Sequence, residues 1–399
     1  MRRSFHIWPD SPPGLGITVT CRSCLHDSDT IYWDFPKLKA ALKDLGVRHL
    51  RDGLVYNGRK EFYERHKELA AAGIRTTFIV NGDLGRLAEH VARLGPAVEA
   101  VESPNEVNLN HWKPADTRAY QKRLWETVKQ NPDLRHLPVV GLSCCNIKFG
   151  GDMGDLSAWL AYGNCHPYPG GWFPENDCNW MHADLSSGIA LARVACGTKP
   201  IDVTETGYTN AIHHSGGHVP VSETLSGIYL PRLMLNCFRH KIHRTFWYEL
   251  FNLKPDGEQK DVERNFGLYK ADGVTPKPAG RALAHLAQLL AVPGPAFKPG
   301  SLDFTLTSAK AQVVVLEKRG GTFWLAVWPP NSLWDNSRPF GQKHEVDSVS
   351  VPCTLDFPAA PQRVTRHADL ERQDNGPVRR CSGCHPGTGR TMLRARPMA

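Results

Sequence analysis

Two short β-branched runs in this chain each end in a glutamate. Ala100 to Val107 reads Ala-Val-Glu-Ser-Pro-Asn-Glu-Val and delivers Asn105 and Glu106, while Ile201 to Gly207 reads Ile-Asp-Val-Thr-Glu-Thr-Gly and delivers Glu205. Two carboxyls at strand exits are the equipment for breaking a glycosidic bond. One, protonated, donates to the leaving oxygen; the other, ionised, attacks the anomeric carbon, and retention of configuration needs them about 5 to 5.5 Å apart. The bland alternative for either glutamate is a helix cap or a surface ion pair. Other strand exits carry Arg51, Asn81, His166, Tyr168 and Trp247, and Asp52 and Glu249 sit close enough to compete for a catalytic role.

The elements that must position these groups follow from periodicity. Gly16 to Cys21 reads as a first strand, and a helix follows with Asp34 as its cap and Gly46 as its stop. Val47 to Leu50, Ile74 to Val80, Val98 to Ser103, Val139 to Ser143, Gly163 to Pro169, which stops at its prolines, Ile201 to Thr204 and Arg244 to Tyr248 supply seven more strands. Helical spacing appears over Lys60 to Ala72, Leu84 to Leu94, Asp116 (as cap) to Lys129, a short piece near Leu156 to Tyr162, Ala183 to Cys196, Ser222 to His240 with an interior Pro231 expected to kink it, and Ala279 to Leu290. Alternating strands and helices over about 275 residues predict a (β/α)8 TIM barrel, in which residues just past the strand C-termini converge on one face.

Past Pro293-Gly294-Pro295 the pattern changes to short strands at Leu302 to Thr307, Ala311 to Glu317, Thr322 to Trp328 and Val346 to Thr354. These predict a small antiparallel β-sandwich domain. The expected organisation is a catalytic barrel over 1–292, the β domain over 296–366 and an irregular basic tail over 367–399. The β domain calls for one more closing strand, which the residues after Gln373 do not supply by pattern; a truncated or frame-shifted end is the hypothesis that follows.

The 399 residues carry a net charge of +8, and eight Arg against three acids lie between Pro361 and Ala399. The rest of the chain is close to balanced, so no nucleic-acid partner is expected. No apolar stretch is long enough for a membrane span. Met1 to Asp10 has a basic start but no apolar h-region, which reads as no signal peptide; the expected location is secreted or periplasmic if a leader has been removed, and cytoplasmic otherwise. Eleven cysteines at irregular spacing favour reduced, buried thiols over a disulfide framework. Cys165, beside the strand-six exit, is the one with a possible chemical role.

Ser103-Pro104-Asn105-Glu106, Thr204-Glu205-Thr206-Gly207-Tyr208 and Phe246-Trp247-Tyr248 together resemble the pattern of clan A glycoside hydrolases, and the trailing β region makes the chain most similar to family 39-like members. The resemblance spans about residues 14 to 355. It implies a retaining β-glycoside hydrolase acting on an oligo- or polysaccharide by double displacement, with Glu106 as acid/base and Glu205 as nucleophile. It further implies that Asn105 binds the sugar 2-hydroxyl, Arg51 keeps Glu205 ionised, His166 or Tyr168 orients Glu205, and Trp247 floors the sugar subsite. Cys21 to Asp27 and Cys144-Cys145 depart from the pattern, at positions where smaller or more polar groups would face a sugar.

Aromatic platforms suit sugar rings because both present flat apolar faces. Tyr168, Trp172, Phe173 and Trp180 cluster in one predicted loop, with Trp112, Trp33 and Tyr32 as further possibilities and a self-packed lid as the alternative. No metal and no organic cofactor is expected, and the expected partner is a carbohydrate bound by a monomer. A carbohydrate-binding protein that has lost turnover, and a metal-dependent hydrolase using His166 with His213, His214 and His218, are the competing functions. Cys381-Ser382-Gly383-Cys384-His385 matches a haem-attachment spacing without the fold that would use it.

Overall fold

The computed structural model describes residues 14–18, 29–55, 59–143, 147–177, 184–292, 294–295, 297–308, 310–347, 351–358 and 390–395. Eight parallel strands carry the first part of the chain: β1 (Gly14–Thr18), β2 (His49–Gly53), β3 (Arg75–Ile79), β4 (Val98–Glu102), β5 (Val139–Val140), β6 (Gly163–Cys165), β7 (Ile201–Thr206) and β8 (Arg244–Tyr248). They form one sheet in the order β5-β4-β3-β2-β1-β8-β7-β6. Among the described residues the two edge strands share no ladder. They meet through a single parallel bridge, Val140 to Tyr162, with Gly141 N–H donating to the Tyr162 carbonyl at 2.8 Å and Ala161 N–H to that of Val139 at 2.7 Å.

The helices between them are α1 (Phe35–Leu45), α2 (Lys60–Ala71), α3 (Leu87–Leu94), α4 (Pro114–Gln130), α5 (Ile147–Met153), α6 (Leu185–Cys196), α7 (Glu223–Arg239) and α8 (Pro278–Leu290). Their starts are chemically marked. Asp34, Asp184 and Ser222 accept N–H bonds from Lys37, Ser187 and Leu225, satisfying donors that the helix itself leaves open. At α4 the expected cap is displaced: Asp116 lies within the first turn, because Pro114 starts the helix where its missing N–H costs nothing. The helix expected near Leu156 to Tyr162 is only a 3-10 turn, Ser157–Trp159. Pro231 lies within α7, whose residues Leu225 to Cys237 are almost all buried.

One apolar core joins these layers, with Leu38, Leu42 and Leu45 of α1, Leu87, Val91 and Leu94 of α3, Tyr229, Leu230 and Leu233 of α7 and Leu283 and Leu286 of α8 packed on the sheet. No helix among the described residues is long and apolar enough to cross a membrane.

Beyond α8 lie two small antiparallel sheets. One pairs β10 (Gln312–Glu317) with β11 (Phe323–Trp328); the other is ordered β13-β12-β9, from β9 (Thr305–Thr307), β12 (Val351–Asp356) and β13 (Arg390–Ala395). Phe304, Val313, Val315 and Leu355 form their shared core. The closing strand that the pattern lacked is β13, paired along the whole of β12 from Val351↔Ala395 to Asp356↔Arg390. The irregular reading of 367–399 therefore does not hold for 390–395. Met392, which shares a strand face with Arg390 and Arg394, interrupts the alternation that would have announced it.

Candidate active site

Neighbouring residues on a strand point to opposite faces, so a run of functional side chains on one strand needs a break in the register. Two such breaks occur. On β7, Val203 pairs with Thr245 and Thr206 with Trp247, leaving one extra residue in the Thr204-Glu205 stretch. On β4, Val98 and Ala100 pair with the adjacent Thr76 and Thr77, so Glu99 is extra. A bulge re-aims side chains without ending the strand. The β7 bulge brings Thr204 and Glu205, consecutive in sequence, into one hydrogen-bonded cluster.

Arg51 of β2 is the centre of that cluster and is fully buried. Its guanidinium grips Glu102 of β4 through Nε (2.8 Å) and Nη2 (2.6 Å), reaches Glu205 Oε1 with Nη1 at 2.5 Å, and donates to Asn105 Oδ1 at 2.7 Å. Tyr168 O–H donates to the other Glu205 oxygen at 2.8 Å. Glu205 thus faces a cation and a hydroxyl donor, one on each of its two oxygens. With its hydroxyl buried and next to Glu205, Tyr168 titrates well above the usual phenol range.

Glu106 stands in a different environment. It lies past the end of β4 with φ 41° and ψ 49°, a left-handed conformation that costs a non-glycine residue about 1–2 kcal/mol, and its N–H donates to Ser143 Oγ at 3.3 Å. Glu106 Oε1 is 2.9 Å from His166 Nδ1, and His166 Nε2 is 2.9 Å from Thr204 Oγ1. Thr204 Oγ1 also touches two acceptors, Glu102 Oε1 at 3.1 Å and Asn164 Oδ1 at 2.9 Å. A hydroxyl has one hydrogen to give, and it goes to one of those acceptors, so His166 Nε2 must be the donor to Thr204. That leaves one proton between His166 Nδ1 and Glu106. The same ring nitrogen is 3.6 Å from Glu205 Oε2, and oxygens of Glu106 and Glu205 lie within 4.8 Å of each other.

Glu106, Glu205, Arg51, Asn105, His166 and Tyr168 therefore lie together in one cluster, with His166 on Glu106 and Tyr168 on Glu205. Glu102, Asn164 and Thr204 complete the cluster and were not singled out from the sequence. Glu102 was within reach, since it shares the Ala100 to Val107 run and lies four residues before Glu106.

Two expected site residues lie elsewhere. Asn81 is exposed past β3 and bonds to none of these groups. Trp247 is 1 % exposed and packs against Tyr208, which in turn meets Tyr229 of α7. The reason is alternation along β8: Arg244 points inward to Glu99, so Phe246 and Tyr248 do too, while Trp247 points out to the helices. Tyr248 takes the inner position, with its ring 6.3 Å from Tyr168 and its hydroxyl donating to Glu263 at 2.8 Å. Trp172 is 39 % exposed and its carbonyl accepts from Tyr208 O–H. Tyr32 is buried with its hydroxyl on Glu249, and Trp33 is flanked by the guanidiniums of Arg59 and Arg65.

The competing carboxyls are accounted for. Asp52 points to α2 and meets His66 Nε2 at 3.2 Å. Glu249 is completely buried, and burial together with nearby Glu263 and Glu205 pushes it well above the usual carboxylate range despite the Tyr32 hydrogen bond. Cys165 lies between the inward Asn164 and His166 and faces Gly188 of α6; like Cys196, Cys237 and Cys353 it is buried. Cys21 to Asp27, Cys144, Cys145, Trp180 and Cys381 to His385 lie outside the described residues.

Glu106, His166 and Glu205 have the donor types and spacing of a metal site. Their charge is already met from within the protein, by Arg51 on Glu205 and by the proton between His166 and Glu106. His214, by contrast, spends its ring nitrogens on the Lys260 and Gly217 carbonyls.

No protein-family model matches this chain, and no curated protein sequence does. Solved structures are similar in fold. The glycoside hydrolase family 17 β-1,3-glucanosyltransferase of Rhizomucor miehei is 17% identical, with a TM-score of 0.50 over 66% of this chain and 95% of that one. Its active-site mutant in complex with laminaritriose gives 18%, 0.50, 66% and 96%. A GH5_18 protein from Streptomyces cattleya in complex with Manβ1-4GlcNAc is 15% identical, with a TM-score of 0.50 over 72% of this chain and 83% of the other. At such identities the likeness is one of architecture: the chain shares the TIM-barrel fold of glycoside hydrolases.

Proposed function

We propose that this protein is a retaining β-glycoside hydrolase of clan A, family 39-like, that cleaves an oligo- or polysaccharide. The observation that carries the reading is the approach of Glu106 and Glu205 oxygens to within 4.8 Å. Double displacement needs carboxyls about 5 to 5.5 Å apart, whereas inversion needs about 6.5 to 9.5 Å to admit a water between them.

The roles follow from the surroundings. Glu106, which shares a proton with His166, gives it to the leaving oxygen as the glycosidic bond breaks. Glu205, positioned by Arg51 and Tyr168, attacks the anomeric carbon as a carboxylate and forms a glycosyl ester. Glu106, now a carboxylate, takes a proton from water as that water attacks the same carbon, and Glu205 leaves as the free carboxylate. Because Asn105 Oδ1 is occupied by Arg51, its amide N–H2 is turned to donate to the sugar 2-hydroxyl. Tyr248 replaces Trp247 as the aromatic floor, and Trp172 offers an outer platform.

Azide tests the two roles separately. With a 2,4-dinitrophenyl β-glycoside, Glu106→Ala still forms the glycosyl ester, and azide resolves it to the β-glycosyl azide. Glu205→Ala leaves the α face open, and azide gives the α-glycosyl azide. The loss of general acid/base help in Glu106→Ala should cost about 10² to 10⁴ with poor leaving groups. Unchanged turnover in either variant, or the same azide anomer from both, rejects the assignment.

A further inference from the structure

The loop after β7 carries His218, which the sequence offers only as part of a histidine-rich segment and which the cluster around Glu205 does not use. Its backbone is left-handed, with φ 52°. Its ring is exposed, yet held in place edge-on by two aromatic rings: Tyr168 at 5.2 Å between centroids and 82°, and Phe266 at 5.7 Å and 87°. Tyr168 is the residue whose hydroxyl rests on Glu205. Tyr168, Phe266 and Tyr248 are mutually packed, at 5.2 to 6.3 Å, so His218 is the fourth member of an aromatic wall built from the end of β8 and the loops after β6, β7 and β8. Among the described residues no hydrogen bond engages its imidazole. An oriented ring at the open end of this wall, with both nitrogens available, has what is needed to bind a sugar hydroxyl, as one nitrogen donates and the other accepts.

We propose that His218 is a specificity-determining residue that hydrogen-bonds a hydroxyl of the sugar whose anomeric carbon is attacked, on the side of the ring that faces the β7 and β8 loops. This rests on the glycosidase reading above. The contact is with the glycone and not the leaving group, because Tyr168 ties the wall to the attacking carboxylate. A site that hydrogen-bonds a substrate hydroxyl rejects the analogue lacking it far better than an apolar pocket can.

His218→Gly removes the ring without the penalty that a Cβ pays in left-handed backbone. The probe is whichever p-nitrophenyl β-glycoside of glucose, galactose, xylose or glucuronic acid the wild type turns over best, together with its monodeoxy derivatives. Expected is a fall of about tenfold in kcat/KM, the worth of one hydrogen bond to a neutral group, equal for p-nitrophenyl and 2,4-dinitrophenyl leaving groups. One deoxy position should then lose activity in the wild type but not further in His218→Gly. The thermal unfolding midpoint should not fall, since the side chain is exposed and glycine relieves the left-handed backbone. Unchanged kcat/KM, or deoxy losses that simply multiply with the mutation at every position, overturns the proposal while leaving the glycosidase reading standing. If the wild type cleaves none of the glycosides, or Glu205→Ala cleaves them as well as the wild type, the parent reading fails and this one with it.

Discussion

Trp247 and Tyr248 differ by one step along β8, and that step decides which of them meets a sugar. Composition favours the tryptophan, the larger platform, but the inward orientation of Arg244 assigns the inner face to every second residue from it. Trp247→Ala should accordingly behave as a core mutation, lowering unfolding free energy by about 3–5 kcal/mol while KM in the folded enzyme stays close to wild type. Tyr248→Ala should lower kcat/KM with a smaller loss of stability. Denaturant unfolding alongside aryl-glycoside kinetics checks both; a Trp247 variant that loses sugar affinity without losing stability would restore it as the platform.

The strands and helices were largely readable from spacing, and β8 was read to the residue. What spacing cannot show is a bulge, because an extra residue in a strand leaves apolar composition unchanged and is visible only against the partner strand. The β7 bulge hides the reason Thr204 and Glu205 act together, and the β4 bulge hides Glu99. Glu99 is turned towards the strand starts, where Arg244 Nη1 donates to it at 2.7 Å and His49 Nδ1 lies 2.9 Å away. Burial alone would raise this carboxyl, but the His49 hydrogen bond and the charges of His49, Arg244 and Arg75 outweigh it and hold it below the usual carboxylate range. A carboxyl depressed by folding binds fewer protons in the native state than in the unfolded one, so it adds stability above the ordinary carboxylate range and loses it as pH falls through the folded value. In Glu99→Gln, stability should be lower at neutral pH and its decline on acidification, between roughly pH 5 and pH 3, should be shallower than in the wild type. Parallel acid limbs in chemical denaturation would show that Glu99 is not the group responsible.

The two small sheets are fastened to the same segment that supplies His166 and Tyr168. Nine residues after His166, Glu175 is buried with Arg232 of α7 at 2.6 Å, and Trp328 at the end of β11 donates its indole N–H to Glu175 at 2.5 Å. Arg232 reaches on to the Asn331 carbonyl, Leu333 N–H donates to Tyr229 O–H oxygen, and Trp328 packs with Leu235 and Val314. A side chain at Gly171 would run into Asn336, so glycine there lets the segment after β11 close over the loop after β6. Periodicity could not disclose this, because the three partners lie far apart in sequence and each alone reads as a surface charge or an ordinary core tryptophan. If the appended sheets brace the site, cutting this link should loosen the loop before it loosens the barrel. Glu175→Gln leaves the Arg232 charge buried and uncompensated, a loss of about 3–5 kcal/mol. Hydrogen exchange should quicken first over residues 166–177, and kcat/KM should fall. Leu283→Ala, a cavity in the α8 packing of comparable cost, should leave that loop's exchange and kcat/KM near wild type at temperatures where both variants are folded. Equal protection of the loop in the two variants would mean that the sheets travel with the barrel without shaping its chemistry.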